Sequence, residues 1–356
     1  MDACTAFTGG SGPGRAVRVL YHIPYPDGLG ADRWICEGWR EGFRALGHEF
    51  HLLTAADRLS AKARATHPDL FFTAINLIDL ERELATLRAI REQGTKVLLW
   101  VHWPLEARID PRRGELLRRE DVADLYFGER EPEQMEPFQR ETGKRYCVIP
   151  NAANPALHFP VDPVPRYRYD IVYLGANLRK KRWFAEHILR PLRRKYRVGV
   201  FGPGWSTRDQ VLRAGSRLCR LAGAFRAAKA IDRARIMVPP EAERALYSSA
   251  TVALNFHERE DDGSQPHYIV NQRTFKIPAC GGFQICDEVP AISKYFGADE
   301  IVRVPLDPGE WMARIEYFLR NAPQREAIRT KGAQRAQRDH LSTHRVKATL
   351  ALLGFT

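Results

Sequence analysis

The sequence predicts an α/β protein with two consecutive doubly wound domains, each built around a parallel β-sheet. Short apolar segments rich in β-branched residues alternate with segments of helical periodicity along most of the chain. This alternation is typical of parallel sheets covered by helices on both faces. A chain of 356 residues also exceeds the size at which one hydrophobic core usually stops growing. We therefore expect two domains and a ligand site in the cleft between them, beyond the carboxyl ends of the strands.

The first predicted domain covers residues 16–160 and follows a Gly/Ser/Pro-rich leader, residues 1–15, that we expect to be disordered. Its first apolar segment, VRVLYHI, precedes a Gly-containing loop and then a segment in which apolar residues recur at helical spacing. The same order of strand, loop and helix repeats along this half. Strands are predicted at 17–23, 51–55, 69–75, 96–103, 123–129 and 145–151.

The second predicted domain covers residues 161–330. A segment with four prolines, 154–168, breaks the alternation and is the best linker candidate. Beyond it the alternation resumes, and residues 331–356 are predicted to form a C-terminal helical segment, for which we consider packing against the first domain. Strands are predicted at 169–178, 196–204, 251–257, 283–288 and 300–304.

The charge of the chain is strongly basic and unevenly distributed. The formal net charge is +12 and the isoelectric point is about 9.6, which favours acidic partners. No recognisable DNA- or RNA-binding motif accompanies this charge, so nucleic acid is not the expected partner. Residues 205–235 carry eight basic and two acidic residues, and apolar residues between them predict a basic amphipathic helix. Either residues 205–236 contact an anionic membrane or an acidic acceptor, or the helix packs on the domain with a solvated face.

Cysteine usage favours a reducing compartment and no bound metal. The six cysteines, at 4, 36, 147, 219, 280 and 286, form no CxxC pair and no metal-like spacing. Asp261 and Asp262 in EREDDG are interpreted as loop residues, and neither a metal nor a cofactor is expected. The chain has no run of 18 apolar residues and no signal-peptide pattern, so we expect a soluble cytoplasmic protein, or one peripheral to the inner face of the membrane.

Two segments of the second domain predict an anion site. In YLGANLRKKR a strand ends at Gly175, and free backbone N–H groups follow beside Arg179, Lys180, Lys181 and Arg182. Helix N-termini favour anions, and a glycine lets a diphosphate approach the backbone, although a solvated basic turn is the alternative.

A helix predicted at 266–279 and capped by Ser264 carries Arg273 and Lys276 on roughly one face. Like charges at this spacing repel, so either both are solvated or they lie near an anion. The preceding strand ends at Asn255 and His257, at the same expected edge of the sheet.

The second half then resembles a known family. The segments YLGANLRKKRWFAEHIL, GVFGPGW, ALYSSATVALNFHE, NQRTFKIPACGGFQICDE and DHLSTHRVKATLALL follow the order found in GT-B glycosyltransferases of the spore-maturation, CgeB-like type, over about residues 169–350. The resemblance implies two Rossmann-like domains facing across a cleft, and metal-independent transfer of a hexosyl group from a nucleotide-diphosphate sugar. Donor binding is predicted for Gly175, Arg179, Lys181, Asn255, His257, Arg273 and Lys276.

Position 276 departs from this family pattern. Related enzymes usually carry glutamate there, and its carboxylate is suited to accept hydrogen bonds from ribose hydroxyls, whereas Lys276 has donors only. Either the ribose is held in another way, or Lys276 binds phosphate, or donor binding has decayed.

The first domain is predicted to supply the acceptor side. Gly28 and Gly30 in PYPDGLGADRW permit a turn that brings backbone close to a sugar or phosphate, although a plain strand-to-helix connection explains them nearly as well. His102 ends an apolar strand, where it would bind the acceptor or the sugar, or act as a general base, unless it is an ordinary core histidine.

The sequence thus favours a glycosyltransferase that uses a nucleotide-diphosphate sugar and an unidentified acceptor. Two alternatives stay open. One is a catalytically decayed protein that binds an acidic partner or nucleic acid through its basic surface. The other is a nucleotide-sugar epimerase, which would need carboxylate pairs that the sequence does not clearly place.

Overall fold

The computed structural model describes residues 15–28, 30–102, 111–258 and 269–355. They form two compact units, each containing one parallel sheet between helical layers, so the predicted doubly wound α/β class is confirmed. The first unit comprises residues 1–155 and 341–356, and the second comprises 156–340.

The first unit contains a six-stranded sheet in the order β2-β1-β3-β4-β5-β6, with every pairing parallel. The strands are β1 (Arg18–His22), β2 (Glu49–Leu53), β3 (Leu70–Ala74), β4 (Lys96–Trp100), β5 (Leu125–Gly128) and β6 (Tyr146–Val148). The described helices between them are α1 (Ala31–Ala45), α2 (Leu59–Thr66), α3 (Leu80–Glu92), α4 (Pro111–Arg119) and α5 (Glu136–Thr142).

Alternate side chains of these strands enter two different cores. Leu20 and Phe71 pack on one face of the sheet, whereas Tyr21 and Phe72 pack on the other with Phe43 of α1. Burial on both faces explains why the strands appear in the sequence as continuous apolar runs rather than as an apolar/polar alternation.

The second unit contains a five-stranded parallel sheet in the order β11-β10-β9-β7-β8. The strands are β7 (Ile171–Leu174), β8 (Val198–Phe201), β9 (Val252–Asn255), β10 (Gln284–Asp287) and β11 (Val302–Val304). The helices are α6 (residues 182–195, π-helical over Ala185–Leu189), α7 (Thr207–Leu221), α8 (Phe225–Ala234), α9 (Pro240–Ser249), α10 (Arg273–Ala279), α11 (Pro308–Arg320) and α12 (Ala322–Asp339). None of the described helices is both long and apolar enough to cross a membrane.

The last helix, α13 (Ser342–Leu352), returns to the first unit. Its buried Val346 and Leu350 join the same core as Phe43. A Cβ atom added to Gly42 of α1 would lie only 3.0 Å from the carbonyl oxygen of Ser342, so the glycine permits the two helices to approach closely.

Helix α10 is shorter than the predicted helix at 266–279. Residues 269–272 are not helical, and the side chain of Asn271 accepts a hydrogen bond from the backbone N–H of Thr274 (3.2 Å). Ser264, Asp261 and Asp262 lie outside the described residues.

Candidate functional site

In the second unit, the strand order defines one place where a ligand site is expected. Strand β7 lies between β8 and β9, so the connections that follow β7 and β9 lead to opposite sides of the sheet. In doubly wound sheets, ligands bind at this switch point, outside the carboxyl ends of the strands. Leu174 ends β7 and Asn255 ends β9.

Arg273 bridges the two strand ends at this switch point. Its Nε donates to Asn255 Oδ1 (3.0 Å), Nη1 donates to the carbonyl of Leu174 (3.0 Å), and Nη2 donates to the carbonyl of Phe256 (3.1 Å). The guanidinium also lies over the ring of Tyr173, with 5.4 Å between Cζ and the ring centroid. These contacts fix a partly exposed cation at the carboxyl edge of the sheet.

Gly175 makes room for this arginine. A Cβ atom at position 175 would collide with Nη1 of Arg273. The carbonyl of Gly175 accepts a hydrogen bond from Nε1 of Trp205 (2.6 Å), which holds the turn after β7 in place. The guanidinium fills the space of the missing side chain, and the predicted approach of a diphosphate to this backbone stays a prediction.

Lys181 places a second cation beside Arg273. It ends a short 3₁₀ helix, Arg179–Lys181, and its side chain is almost fully buried. Its ammonium lies 3.3 Å from Oε1 of Glu258. Burial and the neighbouring charge of Arg273 lower the pKa of Lys181 to about 8, against the opposing effect of Glu258. Two cations from separate segments therefore share this site.

The rest of the basic cluster is oriented differently. Arg179 is exposed and Lys180 is partly exposed, while Arg182 forms an ion pair with Glu186 one turn along α6 (2.8 Å). Of the four predicted cations, Lys181 is the buried one, and its pKa is lowered by the charge of Arg273.

A buried hydrogen-bonded chain supports Arg273 from behind. His257 is fully buried, with Nδ1 2.7 Å from Asp287 Oδ1 and Nε2 2.9 Å from Thr274 Oγ1. Nδ2 of Asn255 donates to the same threonine hydroxyl (3.1 Å), and Oδ1 of Asn255 accepts from Arg273. Both ring nitrogens of His257 and both ends of the Asn255 amide are thus engaged within the protein. Asn255 and His257 thus help to position Arg273, and their role in donor binding stays a prediction.

Lys276 is part of a different, buried cluster. Its ammonium lies 2.8 Å from Oε1 of Glu243, and Oε2 of the same carboxylate lies 3.5 Å from Nε2 of His158. Burial raises the pKa of Glu243, but the adjacent charges of Lys276 and His158 outweigh it and lower the pKa to about 2. The charge of Lys276 neutralises a buried carboxylate, and its predicted role in donor binding stays a prediction.

The first unit has its own switch point, between β1 and β3. Nδ1 of His22, at the end of β1, lies 2.9 Å from Oγ1 of Thr73 in β3. A small cavity opens here. Its lining includes Tyr21, His22, Asp32, Thr73, Trp100 and His102. His102 therefore lies at a position where the fold favours ligand binding.

His102 is held as a neutral imidazole. Burial and the positive charge of Arg130 lower its pKa to about 4. Nε of Arg130 donates to the carbonyl of His102 (2.8 Å), and the imidazole lies against the ring of Trp100 with 4.3 Å between centroids. With a pKa this low, the imidazole is unprotonated throughout the physiological range and is a weak base there.

Glu129 belongs to the same edge and was missed in the sequence. It follows β5 directly, and its Oε2 accepts a hydrogen bond from Nε1 of Trp100 (2.9 Å). Burial raises the pKa of Glu129 to about 7, despite the opposing hydrogen bond from Trp100. Its position immediately after the predicted strand ADLYFGE was the available signal, because side chains there reach the carboxyl edge of a parallel sheet.

The loop that contains Gly28 and Gly30 forms an ordinary connection to α1. The N–H of Gly28 donates to the carbonyl of Tyr25 (3.0 Å), and Gly30 is the N-cap residue of α1 with φ −74°. Neither glycine has a positive φ, so the loop does not need glycine for backbone conformation. Its predicted role on the acceptor side stays a prediction.

Comparisons with known proteins agree with this architecture. Residues 179–351, slightly less than half of the chain, match the family model described as glycosyl transferase-like. No curated protein matches the chain significantly.

Solved structures with the same fold are similar over nearly their whole length. Sucrose-phosphate synthase from Thermosynechococcus elongatus has a TM-score of 0.62 at 15% identity, covering 96% of this chain and 98% of that one. A glycosyltransferase from Rickettsia africae has a TM-score of 0.62 at 10% identity, with 96% and 98% covered. HepE from Anabaena, solved in complex with UDP-glucose, has a TM-score of 0.55 at 12% identity, with 95% and 100% covered. The chain thus has the two-domain, Rossmann-like GT-B fold of glycosyltransferases, and its segment 179–351 is glycosyl transferase-like in sequence.

Proposed function

We propose that this protein is a glycosyltransferase of the CgeB-like type that transfers a hexosyl group from a nucleotide-diphosphate sugar without a bound metal. The observation that carries the proposal is the convergence of Lys181 and Arg273 at the switch point of the second unit. A buried cation next to a second cation is unfavourable unless an anion is near. Glu258 and Asp287 offset part of the charge at Lys181, and a diphosphate would add a counter-charge for Arg273.

The same two cations suit the chemistry of the departing nucleotide. When the bond between the sugar and the diphosphate breaks, negative charge develops on the diphosphate oxygen. Fixed positive groups stabilise such charge best when they do not have to reorganise. The three hydrogen bonds of Arg273 to protein acceptors provide that rigidity.

The first unit offers groups for the acceptor. Glu129, which accepts a hydrogen bond from Trp100, has a pKa of about 7 and is suited to accept a proton from an attacking hydroxyl. His102, whose imidazole lies against Trp100, has a pKa of about 4, so it is better suited to hydrogen-bond the acceptor than to take its proton. HepE, which has the same fold, binds UDP-glucose, and this supports a nucleotide sugar as the donor.

Position 276 does not weigh against donor binding. The pairing of Lys276 with Glu243 gives the lysine a structural task, so its presence in place of the family's usual glutamate is not evidence of lost function.

Thermal unfolding with UDP-, GDP- and dTDP-sugars tests the proposal. One of these donors should raise the melting temperature, because a ligand that binds only the folded state stabilises it. In Lys181→Met we expect donor affinity to fall about ten-fold or more, since a charge-assisted contact to phosphate is lost. Arg182→Met removes an exposed cation of the same cluster and should leave donor affinity unchanged. The proposal fails if no nucleotide sugar stabilises the protein, or if both variants bind the donor equally.

A further inference from the structure

Helices α7 and α8 form a hairpin that is inserted between β8 and α9. The two helices are joined by residues 222–224, where Gly223 adopts φ +72°. Arg220 near the end of α7 pairs with Asp232 of α8 (2.5 Å). At the base of the hairpin, Arg235 pairs with Asp209 (2.8 Å), and both side chains are largely buried.

The bend of this hairpin exposes large apolar side chains. Leu218, Leu221 and Phe225, which we call the hairpin tip, are 67%, 77% and 66% exposed. Val211 lies seven residues before Leu218, two helical turns away on the same face of α7, and is 65% exposed. Among the described residues, these four account for most of the highly exposed large apolar side chains, so the tip is an apolar patch in water.

Cations surround the hairpin tip. Arg213, Arg217, Arg226, Lys229 and Arg233 are all exposed on the two helices. Residues 205–235 carry a net charge of +6, half of the charge of the whole chain. Arg220 and Arg235 form ion pairs within the hairpin, and the other six basic residues of 205–235 are exposed on its two helices.

We propose that the hairpin tip docks onto an anionic lipid membrane. Leucine and phenylalanine side chains would enter the boundary between headgroups and acyl chains, and the flanking arginines would contact lipid phosphates. A nucleic acid also binds arginines, but it has no apolar interior in which the two exposed leucines could be buried. An acidic protein partner would need an apolar surface matched to the tip. An anionic membrane provides phosphates for the arginines and acyl chains for the apolar side chains, so the observations favour a membrane.

This inference does not depend on the proposed transferase activity. It concerns a surface remote in sequence from Lys181 and Arg273, and it would stand for any reaction carried out by the second unit.

Flotation with lipid vesicles tests the proposal. The full chain should float with phosphatidylcholine vesicles that contain phosphatidylglycerol and should bind weakly to vesicles of phosphatidylcholine alone. The triple variant Leu218→Ser, Leu221→Ser, Phe225→Ser, which removes the apolar side chains without changing the charge, should lower binding about ten-fold or more. The double variant Arg217→Gln, Arg226→Gln should lower binding to the anionic vesicles by a similar factor. Thermal unfolding and circular dichroism check that both variants remain folded.

Arg193→Gln, Arg194→Gln is the matched control, because it removes two exposed arginines from α6 in the same unit. It should bind vesicles like the wild type. Equal binding by all variants, or no binding by the wild type, would overturn the proposal. It would also be overturned if duplex DNA or an acidic polypeptide bound and only the arginine variant lost that binding, because the tip residues would then have no part in docking.

Discussion

At the scale of single residues, the buried pair of Glu243 and Lys276 makes a direct prediction. Lys276→Met should lower the free energy of unfolding by about 3–5 kcal/mol, because it leaves a carboxylate buried without its partner. Lys276→Glu, which restores the family's usual residue, should be at least as destabilising because it places two carboxylates together. Urea unfolding at pH 7 measures both.

The charge-exchanged double variant Glu243→Lys, Lys276→Glu is the control for this prediction. It restores one positive and one negative group, so it should recover much of the lost stability. If Lys276→Glu alone has the same midpoint of urea unfolding as the wild type, the ion pair does not contribute significantly to the free energy of unfolding.

Glu129 predicts a pH dependence of stability. Its pKa is raised to about 7 in the folded protein, from an ordinary value of 4.5, so the folded state holds the proton more tightly than the unfolded state does. Protonated Glu129 therefore contributes fully to the free energy of unfolding below about pH 4.5, and this contribution is lost as the pH rises through 7. Glu129→Gln should gain stability relative to the wild type over this interval, by about 1–3 kcal/mol at pH 8.

Urea unfolding at pH 5 and pH 8 measures this difference. Glu92→Gln, at the exposed end of α3, is the matched control and should show no such change between the two pH values. A Glu129→Gln effect that is the same at both pH values would contradict a raised carboxyl pKa.

At the scale of secondary-structure elements, the contact between α1 and α13 depends on Gly42. Gly42→Ala should destabilise the protein by about 1–3 kcal/mol, because the new Cβ would lie about 3 Å from the backbone of Ser342, which cannot move without moving α13. Gly38→Ala, one turn earlier in α1, meets no atom within 4 Å and should be neutral or stabilising by up to about 1 kcal/mol. Differential scanning calorimetry compares the two, and equal melting temperatures would show that the contact is not tight.

Local sequence signals predicted the elements well where apolar periodicity was strong, and less well at helix starts. The strands of both sheets lie within or beside the predicted segments because their burial on both faces produces continuous apolar runs. The start of helix α10 was predicted too early, because residues 269–272 are not helical and the hydrogen bond from Thr274 to Asn271 that marks its start has no distinctive sequence signal.

The sequence predicted which residues lie at the carboxyl edge of the second sheet, but it did not predict the partners of their side chains. Parallel strands place their carboxyl ends at one edge, so Gly175, Asn255 and Arg273 were expected to lie together, and hydrogen bonds join Arg273 to the ends of β7 and β9. Which residues face a ligand depends on partners far along the chain. Lys276 pairs with Glu243 and His257 with Asp287, and neither spacing follows a motif.

At the scale of the whole molecule, the chain leaves the first unit at residue 155 and re-enters it at 341. Ala153 and Leu341 form a β-bridge, so the two points where the chain crosses between units are adjacent. The second unit is therefore one continuous segment, and its first and last residues are attached to the first unit at adjacent points. We expect that the second unit folds when it is expressed alone. Deletion of α13, in contrast, would remove Val346 and Leu350 from the core of the first unit.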